Sequence, residues 1–169
     1  MGTGKTGRYL NTRGSGRSAS QFSVIHSSEG TFRKTQVRVN GKMVHRLRLV
    51  SGGHSEASIK LLEKYKISYK ITKTYSNGVR IGNVDKHPSK VKREQSGQAW
   101  FPKSWSNKDI KKAGEHVASL KHNRNTSSGV AMYGTWKGVR VGVIKTNGKI
   151  ATIFPDTNQP ALLKKKRKK

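Results

Sequence analysis

The sequence predicts an α+β fold in which an antiparallel, hairpin-rich sheet packs on two helices. Three Asn-Gly pairs lie between β-type runs, which is the pattern of hairpin turns. Two other segments repeat apolar residues with the spacing of one helix face. A chain of 169 residues is long enough to bury one compact core. Strands that come mostly as hairpins, together with separate helices, are typical of the α+β class.

Composition divides the chain into three parts. Residues 1–19 are rich in Gly, Ser, Thr and Arg and have no hydrophobic period, so we expect a flexible arm. Residues 161–169 are mostly lysine and arginine, which predicts a disordered basic tail. Residues 20–160 contain the strand and helix patterns, and we expect them to form the folded domain.

The Asn-Gly pairs predict six strands. Asn40-Gly41 separates TQVRV from KMVHRLRLV, Asn77-Gly78 separates YKITKTYS from VRIGNV, and Asn147-Gly148 separates VRVGVIKT from KIATIF. Asn and Gly readily adopt the two positive φ angles of a type I′ turn, so each pair predicts a hairpin. The run QFSVIH at residues 21–26 predicts a seventh strand.

Two segments predict helices. SEASIKLLEKYK at 55–66 begins with Ser55 as a candidate N-cap, and its apolar face consists of Ile59, Leu62 and Tyr65. SNKDIKKAGEHVASLK at 106–121 begins with Ser106 and Asp109 at the spacing of a capping box. The buried stripe of this second helix is expected to be Ile110, Ala113, Val117 and Leu120.

The charge of the chain favours a polyanionic partner. Lys and Arg number 36 against 8 Asp and Glu, so the formal net charge is +28. A field of this size attracts nucleic acid first and an anionic membrane next. The chain has no cysteine, which excludes disulfides and thiolate metal sites. It also has no apolar run of about 20 residues, and we expect no conventional signal peptide.

The acidic residues disfavour metal-dependent hydrolysis. All eight are scattered singly along the chain, whereas a two-metal nuclease needs several carboxylates around its ions. No two histidines have the i, i+4 spacing of a helical zinc site. Histidines that act as acid and base, assisted by a lysine, remain as the chemistry these residues allow. RNA suits that chemistry because its 2′-hydroxyl is a built-in nucleophile.

Four segments carry a family resemblance. HSSEG (26–30) resembles a His-x-x-x-Gly motif, SGGHS (51–55) a Gly-x-His motif, and AWFPKSWS (99–106) a Phe-Pro-x-x-Trp-Ser motif. GKIATIFP (148–155) is similar to a closing strand with Thr-x-Tyr-Pro. In this order, over roughly residues 20–158, they resemble bacterial EndoU-type endoribonucleases, which occur as C-terminal domains of polymorphic toxins. The resemblance implies the compact α+β fold shared by barnase, EndoU, colicin and RelE-like nucleases.

The resemblance also implies a site of two histidines, one lysine and a Thr/Tyr pair. His54 takes the position of the second histidine. His26 best matches the first, because Gly30 follows four residues later, and His45 is its competitor. The lysine upstream of the Phe-Pro motif is expected to be Lys92, with Lys90 as the second choice.

The remaining expected site residues complete the catalytic set, in the case of Thr152, or bind substrate, in the case of Gly53, Ser55 and Phe154. Thr152 matches the threonine that helps to hold the base or the phosphate. Phe154 stands where the family commonly has tyrosine, so it keeps a ring for stacking but lacks the hydroxyl. Gly53 lets the backbone approach a phosphate, and the helix that begins near Ser55 points its amides toward that anion. His87, before Pro88 in a polar turn, is expected to be exposed.

The function implied by the resemblance is a metal-independent endoribonuclease. It would cut single-stranded or tRNA-like RNA by transesterification, without a cofactor, and leave a 2′,3′-cyclic phosphate. It would act as an antibacterial toxin, secreted and then active in the cytoplasm of the target cell, and an acidic immunity protein would inhibit it. The alternative is a non-catalytic basic protein that binds RNA or DNA, which explains the charge equally well.

Overall fold

A computed structural model describes residues 17–160 of the chain. The helices are α1 (Gln21–Glu29), α2 (Glu56–Lys64), α3 (Lys90–Glu94) and α4 (Asn107–Ser119), followed by a 3-10 turn at Lys121–Asn123. The strands are β1 (Thr31–Val39), β2 (Lys42–Ser51), β3 (Tyr69–Thr74), β4 (Arg80–Val84), β5 (Gln98–Trp100), β6 (Met132–Trp136), β7 (Val139–Thr146) and β8 (Lys149–Pro155). The predicted basic tail and residues 1–16 of the predicted arm lie outside the described residues.

The strands form three antiparallel sheets that do not close on themselves. The first is the hairpin β1-β2, the second has the order β3-β4-β5, and the third has the order β6-β7-β8. The predicted α+β class is therefore confirmed. Within the described residues, no helix is long and apolar enough to cross a membrane.

The three Asn-Gly pairs all join paired strands, but only two form the expected turn. Asn40 and Asn147 have φ angles of 51° and 53°, and each is followed by a glycine with positive φ. At the third pair only Gly78 has a positive φ, and Asn77 Oδ1 instead accepts a hydrogen bond from Val79 N. The expectation of a type I′ turn at this pair is therefore wrong, although the hairpin is present.

The prediction of a strand at residues 21–26 is wrong, because this segment begins helix α1. The Ser20 side chain accepts a hydrogen bond from Ser23 N and caps the helix, which ends before Gly30 at φ 96°. Val24 and Ser27 lie one turn apart and are both buried. Packing of this face against the rest of the domain outweighs the strand preference of the β-branched residues.

The two predicted helices are confirmed. Ser55 caps α2 through a hydrogen bond from Ala57 N. The capping box of α4 is complete, because Ser106 and Asp109 each accept a hydrogen bond from the other's backbone N–H. The α4 stripe is buried at Ile110, Ala113 and Val117 and packs on the third sheet.

Two hydrophobic clusters meet at β5. The larger one joins α1 and α4 to the third sheet and includes Phe101. The smaller one joins α2, the base of the β1-β2 hairpin and the second sheet, and it includes Trp100. Trp100 and Phe101 are both fully buried, so consecutive side chains anchor two different clusters. The end of β5 is therefore held from both sides, next to the cleft described below.

The predicted boundary of the N-terminal arm lies inside the packed domain. Ala19 is buried in the larger cluster, and its backbone N–H donates to the Glu115 carboxylate at 2.9 Å. Among the described residues, the chain is thus already tied to α4 just before helix α1 begins.

Candidate active site

A cleft of about 370 Å³ opens where α1, the turn after β2, α3 and strands β5, β6 and β8 come together. Its lining includes five residues that the sequence predicts as site residues: His26, His54, Lys92, Thr152 and Phe154. These residues come from four separate elements and from positions far apart in the chain. The fold therefore brings together the predicted histidines, lysine and closing-strand residues.

His54 is held by three hydrogen bonds in a fixed orientation. Its backbone N–H donates to Ser27 O at 2.6 Å, and its carbonyl accepts from Phe101 N at 2.6 Å. Its ring Nδ1 lies 2.9 Å from the carbonyl oxygen of Ala99. A carbonyl can only accept, so Nδ1 carries the proton and Nε2 keeps its lone pair in the neutral ring. Among residues 17–160, the hydrogen bond of the His54 ring is the one made by Nδ1.

Two glycines bring His54 close to His26. Gly52 and Gly53 have φ angles of 68° and 74°. A Cβ on Gly52 would lie 2.2 Å from His26 O and 3.0 Å from His26 Nε2, so a side chain at this position would collide with α1. Only glycine permits this approach of the turn to the end of the helix.

The backbone amides of this turn are already bonded to α1. Gly53 N donates to His26 O at 3.2 Å, and Ser55 N donates to Ser28 O at 3.1 Å. These bonds satisfy carbonyls that the end of a helix leaves without partners. The Ser55 hydroxyl is also buried against Ser28. Neither Gly53 nor Ser55 lines the cleft, and their own amides face α1, so substrate binding by these two residues stays a prediction.

His26 occupies the last turn of α1 and is half-buried. Its Nδ1 and Thr31 Oγ1 lie 2.9 Å apart, within hydrogen-bond distance. Burial, and then the Lys92 ammonium, lowers the pKa of His26. The competitor His45 lies on an exposed part of β2, opposite Gln36, and does not line the cleft. Of the two candidates for the first histidine, the fold thus brings only His26 to His54.

Lys92 enters the cleft from the short helix α3. Ser89 caps this helix and accepts a hydrogen bond from Lys92 N at 3.4 Å. Burial lowers the pKa of Lys92. The second-choice lysine, Lys90, is exposed and does not line the cleft.

Burial and charge keep His54 neutral. Only 4 % of His54 is exposed. Burial, followed by repulsion from the Lys92 ammonium, lowers the pKa of His54 to about 3. At neutral pH the ring therefore presents an unprotonated Nε2, which is the form that a general base requires.

Thr152 and Phe154 reach the cleft from β8. They pair with Ile144 and Gly142 of β7. A Cβ on Gly142 would lie 2.5 Å from the Phe154 ring, so glycine at this position makes room for the ring. The centroid of the Phe154 ring lies 6.1 Å from that of the His54 ring. An aromatic surface therefore lies beside one of the two histidines.

A comparison of the sequence with models of known protein families finds the family that the motif order resembles. The family of bacterial EndoU nucleases matches residues 23–157, which cover most of the chain. The chain belongs to the bacterial EndoU nuclease family. No curated protein and no solved structure matches it.

The cleft of this EndoU nuclease includes a tyrosine that sequence reasoning missed. Tyr133 of β6 lines the cleft, and its ring meets Phe154 edge to face at 6.1 Å. Burial, and then the Asp156 carboxylate, raises the pKa of Tyr133, so the hydroxyl stays protonated at neutral pH. Arg140 lies 4.7 Å from the Tyr133 ring centroid and pairs with Asp156 at 2.7 Å. A phenol is thus present near the position where Phe154 lacks one.

His87 of the EndoU nuclease is buried, so the expectation that it is exposed is wrong. Only 2 % of the residue is exposed, and its Nδ1 accepts a hydrogen bond from Ser89 N at 3.0 Å. Its carbonyl accepts from the Arg93 guanidinium at 2.8 Å. Burial, and then Lys92, lowers its pKa to about 4. His87 therefore holds the start of α3 and, through it, the backbone of Lys92.

Gln98 is a second supporting residue that the sequence did not reveal. It is fully buried, and its side-chain amide donates to Gly53 O at 2.8 Å. Strand β5 thus fixes the glycine turn through Gln98 and the His54 ring through Ala99. A polar residue directly before the apolar run AWF was the available signal.

The described part of the EndoU nuclease contains no group of three His, Cys, Asp or Glu side chains arranged to hold a metal ion. The titratable side chains among the described residues that line the cleft are two imidazoles, one ammonium, one phenol and one carboxylate, namely His26, His54, Lys92, Tyr133 and Asp156.

Proposed function

We propose that this EndoU nuclease is an endoribonuclease that cuts single-stranded RNA by transesterification without a metal ion. The observation that carries the proposal is the cleft that joins neutral His54 to His26 and Lys92. Nε2 of His54 removes the proton of the 2′-hydroxyl, and the 2′-oxygen attacks phosphorus. The bond from phosphorus to the 5′-oxygen breaks, and His26 protonates that oxygen. The products are a 2′,3′-cyclic phosphate and a 5′-hydroxyl.

Burial supports this division of roles between the histidines. His54 is almost fully buried, and burial lowers the pKa of its ring, so the ring is unprotonated at neutral pH and its Nε2 lone pair is available to a proton. His26 is more exposed, so water and a bound phosphate can stabilise its protonated form. A group that is partly protonated near neutral pH is suited to be the acid.

Lys92 and Thr152 are proposed to stabilise the charge that develops on the phosphoryl oxygens. Lys92 is the one ammonium among the described residues that line the cleft. Its charge acts strongly because the side chain is largely removed from water. Phe154 offers a face on which a base stacks, as aromatic residues do in single-strand binding proteins.

The alternative function is a non-catalytic protein that binds RNA or DNA. It accounts for the charge of +28, but it gives no reason for two histidines and a lysine in one cleft. It predicts salt-sensitive binding without products.

Cleavage of an oligoribonucleotide in EDTA tests the proposal. We expect cleavage that His54→Gln reduces by about 10²- to 10⁴-fold, the usual contribution of an acid–base group. His45→Gln is the matched control, because His45 is exposed outside the cleft. A substrate with 2′-deoxyribose at the cleaved position lacks the nucleophile and should stay intact. Loss of cleavage in EDTA, or cleavage of the deoxy substrate, would contradict the proposal.

We also propose that the nuclease is a toxin, secreted and active in the cytoplasm of a target bacterium, and that an acidic immunity protein inhibits it. The charge of +28 supports an acidic partner, since opposite fields speed association. Expression in a bacterial cytoplasm should stop growth, and His54→Gln should abolish this effect. An inhibitor from the producing cell that binds equally tightly at low and high salt would contradict the proposal that opposite charges attract the immunity protein.

A further inference from the structure

A second groove, of about 380 Å³, lies between the β1-β2 hairpin and residues 86–93. Its lining contains four cationic residues, namely Arg38, Arg48, Lys86 and Arg93. The described residues that line it include no aspartate or glutamate. Residues 31–51, which form the hairpin, contain six lysines and arginines and no acidic residue. The groove is therefore a concentrated positive surface.

Backbone carbonyls hold these cations and leave most of their charge uncompensated. Arg48 Nη1 donates to Lys86 O at 3.1 Å, and Lys86 Nζ donates to Arg38 O at 3.4 Å. Within residues 17–160, Arg93 is the one cation of the groove with an acidic partner, because its Nε lies 3.1 Å from the exposed Glu94 carboxylate. Carbonyls orient a cation without cancelling its charge, so an anion in this groove gains attraction from several sides.

The hairpin also places two like charges opposite each other. Arg33 of β1 pairs directly with Arg48 of β2. Such a pair destabilises a hairpin unless an anion lies nearby. A ligand with several negative charges along a chain fits this spread of cations better than a single small anion does.

The groove adjoins the cleft through α3. Lys92 lines the cleft and Arg93 lines the groove, and the Cα atoms of neighbouring residues are about 3.8 Å apart. The cleft and the groove therefore lie on two sides of the same short helix. We propose that the groove binds backbone phosphates of the RNA beside the scissile phosphate, an inference that rests on the endoribonuclease activity proposed above.

Binding of an uncleavable RNA tests the groove without relying on catalysis. The probe is an oligoribonucleotide with 2′-O-methyl groups, and the variant is the double change Arg38→Gln with Lys86→Asn. Asparagine tolerates the positive φ of 65° at residue 86. Each phosphate contact to a single strand contributes about 0.7 to the slope of log K against log salt, so the slope should fall by about 1.4.

A matched control removes the same charge elsewhere. Lys108→Gln with Lys112→Gln changes two exposed lysines of α4, which line neither the cleft nor the groove. We expect this control to change the slope by less than half as much as the groove variant. Equal changes would mean that only the net charge matters, and this result would overturn the proposal. Circular dichroism of each variant verifies that it folds.

Cleavage of RNA of two lengths then links the groove to the site. For the groove variant, KM for a long oligoribonucleotide should rise roughly tenfold, as expected for two lost phosphate contacts. For a dinucleotide, which is too short to reach the groove, the rise should be much smaller. An equal rise in KM for both substrates, or an unchanged salt slope, would overturn the proposal. An acidic protein would then be the better candidate for the partner that binds the groove. If no RNA is cleaved but the salt slope falls as expected, the proposed catalysis fails while the groove stands.

Discussion

The ring of His54 donates from Nδ1 to the carbonyl oxygen of Ala99 over 2.9 Å, which leaves Nε2 without a proton in the neutral ring. This contact gives His54 one tautomer, and burial keeps the ring neutral. A backbone carbonyl on the fully buried strand β5 is a rigid partner. The proposed base is therefore set by the fold before any substrate binds.

The first prediction concerns this tautomer. Nitrogen NMR of the protein at neutral pH should show His54 protonated at Nδ1 and unprotonated at Nε2. The exposed His45 provides an internal reference for a ring without such a contact. A His54 ring with its proton on Nε2 would contradict its assignment as the base.

The second prediction is a pH profile with a loss of activity on the alkaline side. His54 must be neutral, and its pKa of about 3 keeps it so above pH 4. His26 must be protonated, and its pKa lies below the usual 6.5. The value of kcat/KM reports the free enzyme, so it should fall about tenfold per pH unit above the pKa of His26. A rate that rises between pH 5 and pH 7 would contradict these roles.

The third prediction is that Lys92→Met raises the pKa of both His26 and His54. The Lys92 ammonium lowers both pKa values, so its removal makes each ring easier to protonate. Proton NMR titration of the ring signals measures the two shifts. The same change should lower kcat by about 10²- to 10³-fold through the loss of charge stabilisation.

Lys90→Met is the control for this charge. Lys90 belongs to the same short helix but is exposed and lies outside the cleft. It should leave both pKa values and kcat nearly unchanged. Equal shifts in the two variants would show that Lys92 acts only through the net charge.

The fourth prediction is that Gly52→Ala both destabilises and inactivates the nuclease. The new Cβ would lie 2.2 Å from His26 O, so α1 and the turn must move apart. Gly41→Ala is a matched control, since Gly41 also has a positive φ but open space around its Cβ. Both variants should lose about 1 kcal/mol from backbone strain, and Gly52→Ala should lose more from the collision. Urea unfolding measures the difference, and equal losses would contradict this view of the turn.

Local patterns predicted much of the fold. The capping box at Ser106 and Asp109 and the turn at Asn40-Gly41 depend on residues close in sequence, and both are present. Helix α1 was missed because its β-branched residues favour a strand, whereas burial of Val24 and Ser27 decides the outcome. Such burial depends on the whole domain and is not visible in a short window.

In the candidate site, too, short motifs predicted some residues, whereas residues placed by packing of the whole domain were missed. The family motifs indicated His26, His54 and Thr152, and all three line one cleft. Tyr133 was missed because its strand β6 was not predicted, although Lys137-Gly138, with φ angles of 49° and 77°, forms a turn of the Asn-Gly kind. His87 was misjudged because its polar neighbours suggested an exposed turn, and packing against α3 buries it.

The most direct test of the proposed mechanism is the chemistry of the RNA ends after cleavage in EDTA. Phosphorus NMR of the products should show a 2′,3′-cyclic phosphate on one fragment, because the 2′-oxygen is the proposed nucleophile. Labelling with polynucleotide kinase should find a free 5′-hydroxyl on the other fragment. Fragments with a 5′-phosphate and a free 3′-hydroxyl would mean that water attacks phosphorus, and they would contradict the mechanism assigned to His54 and His26.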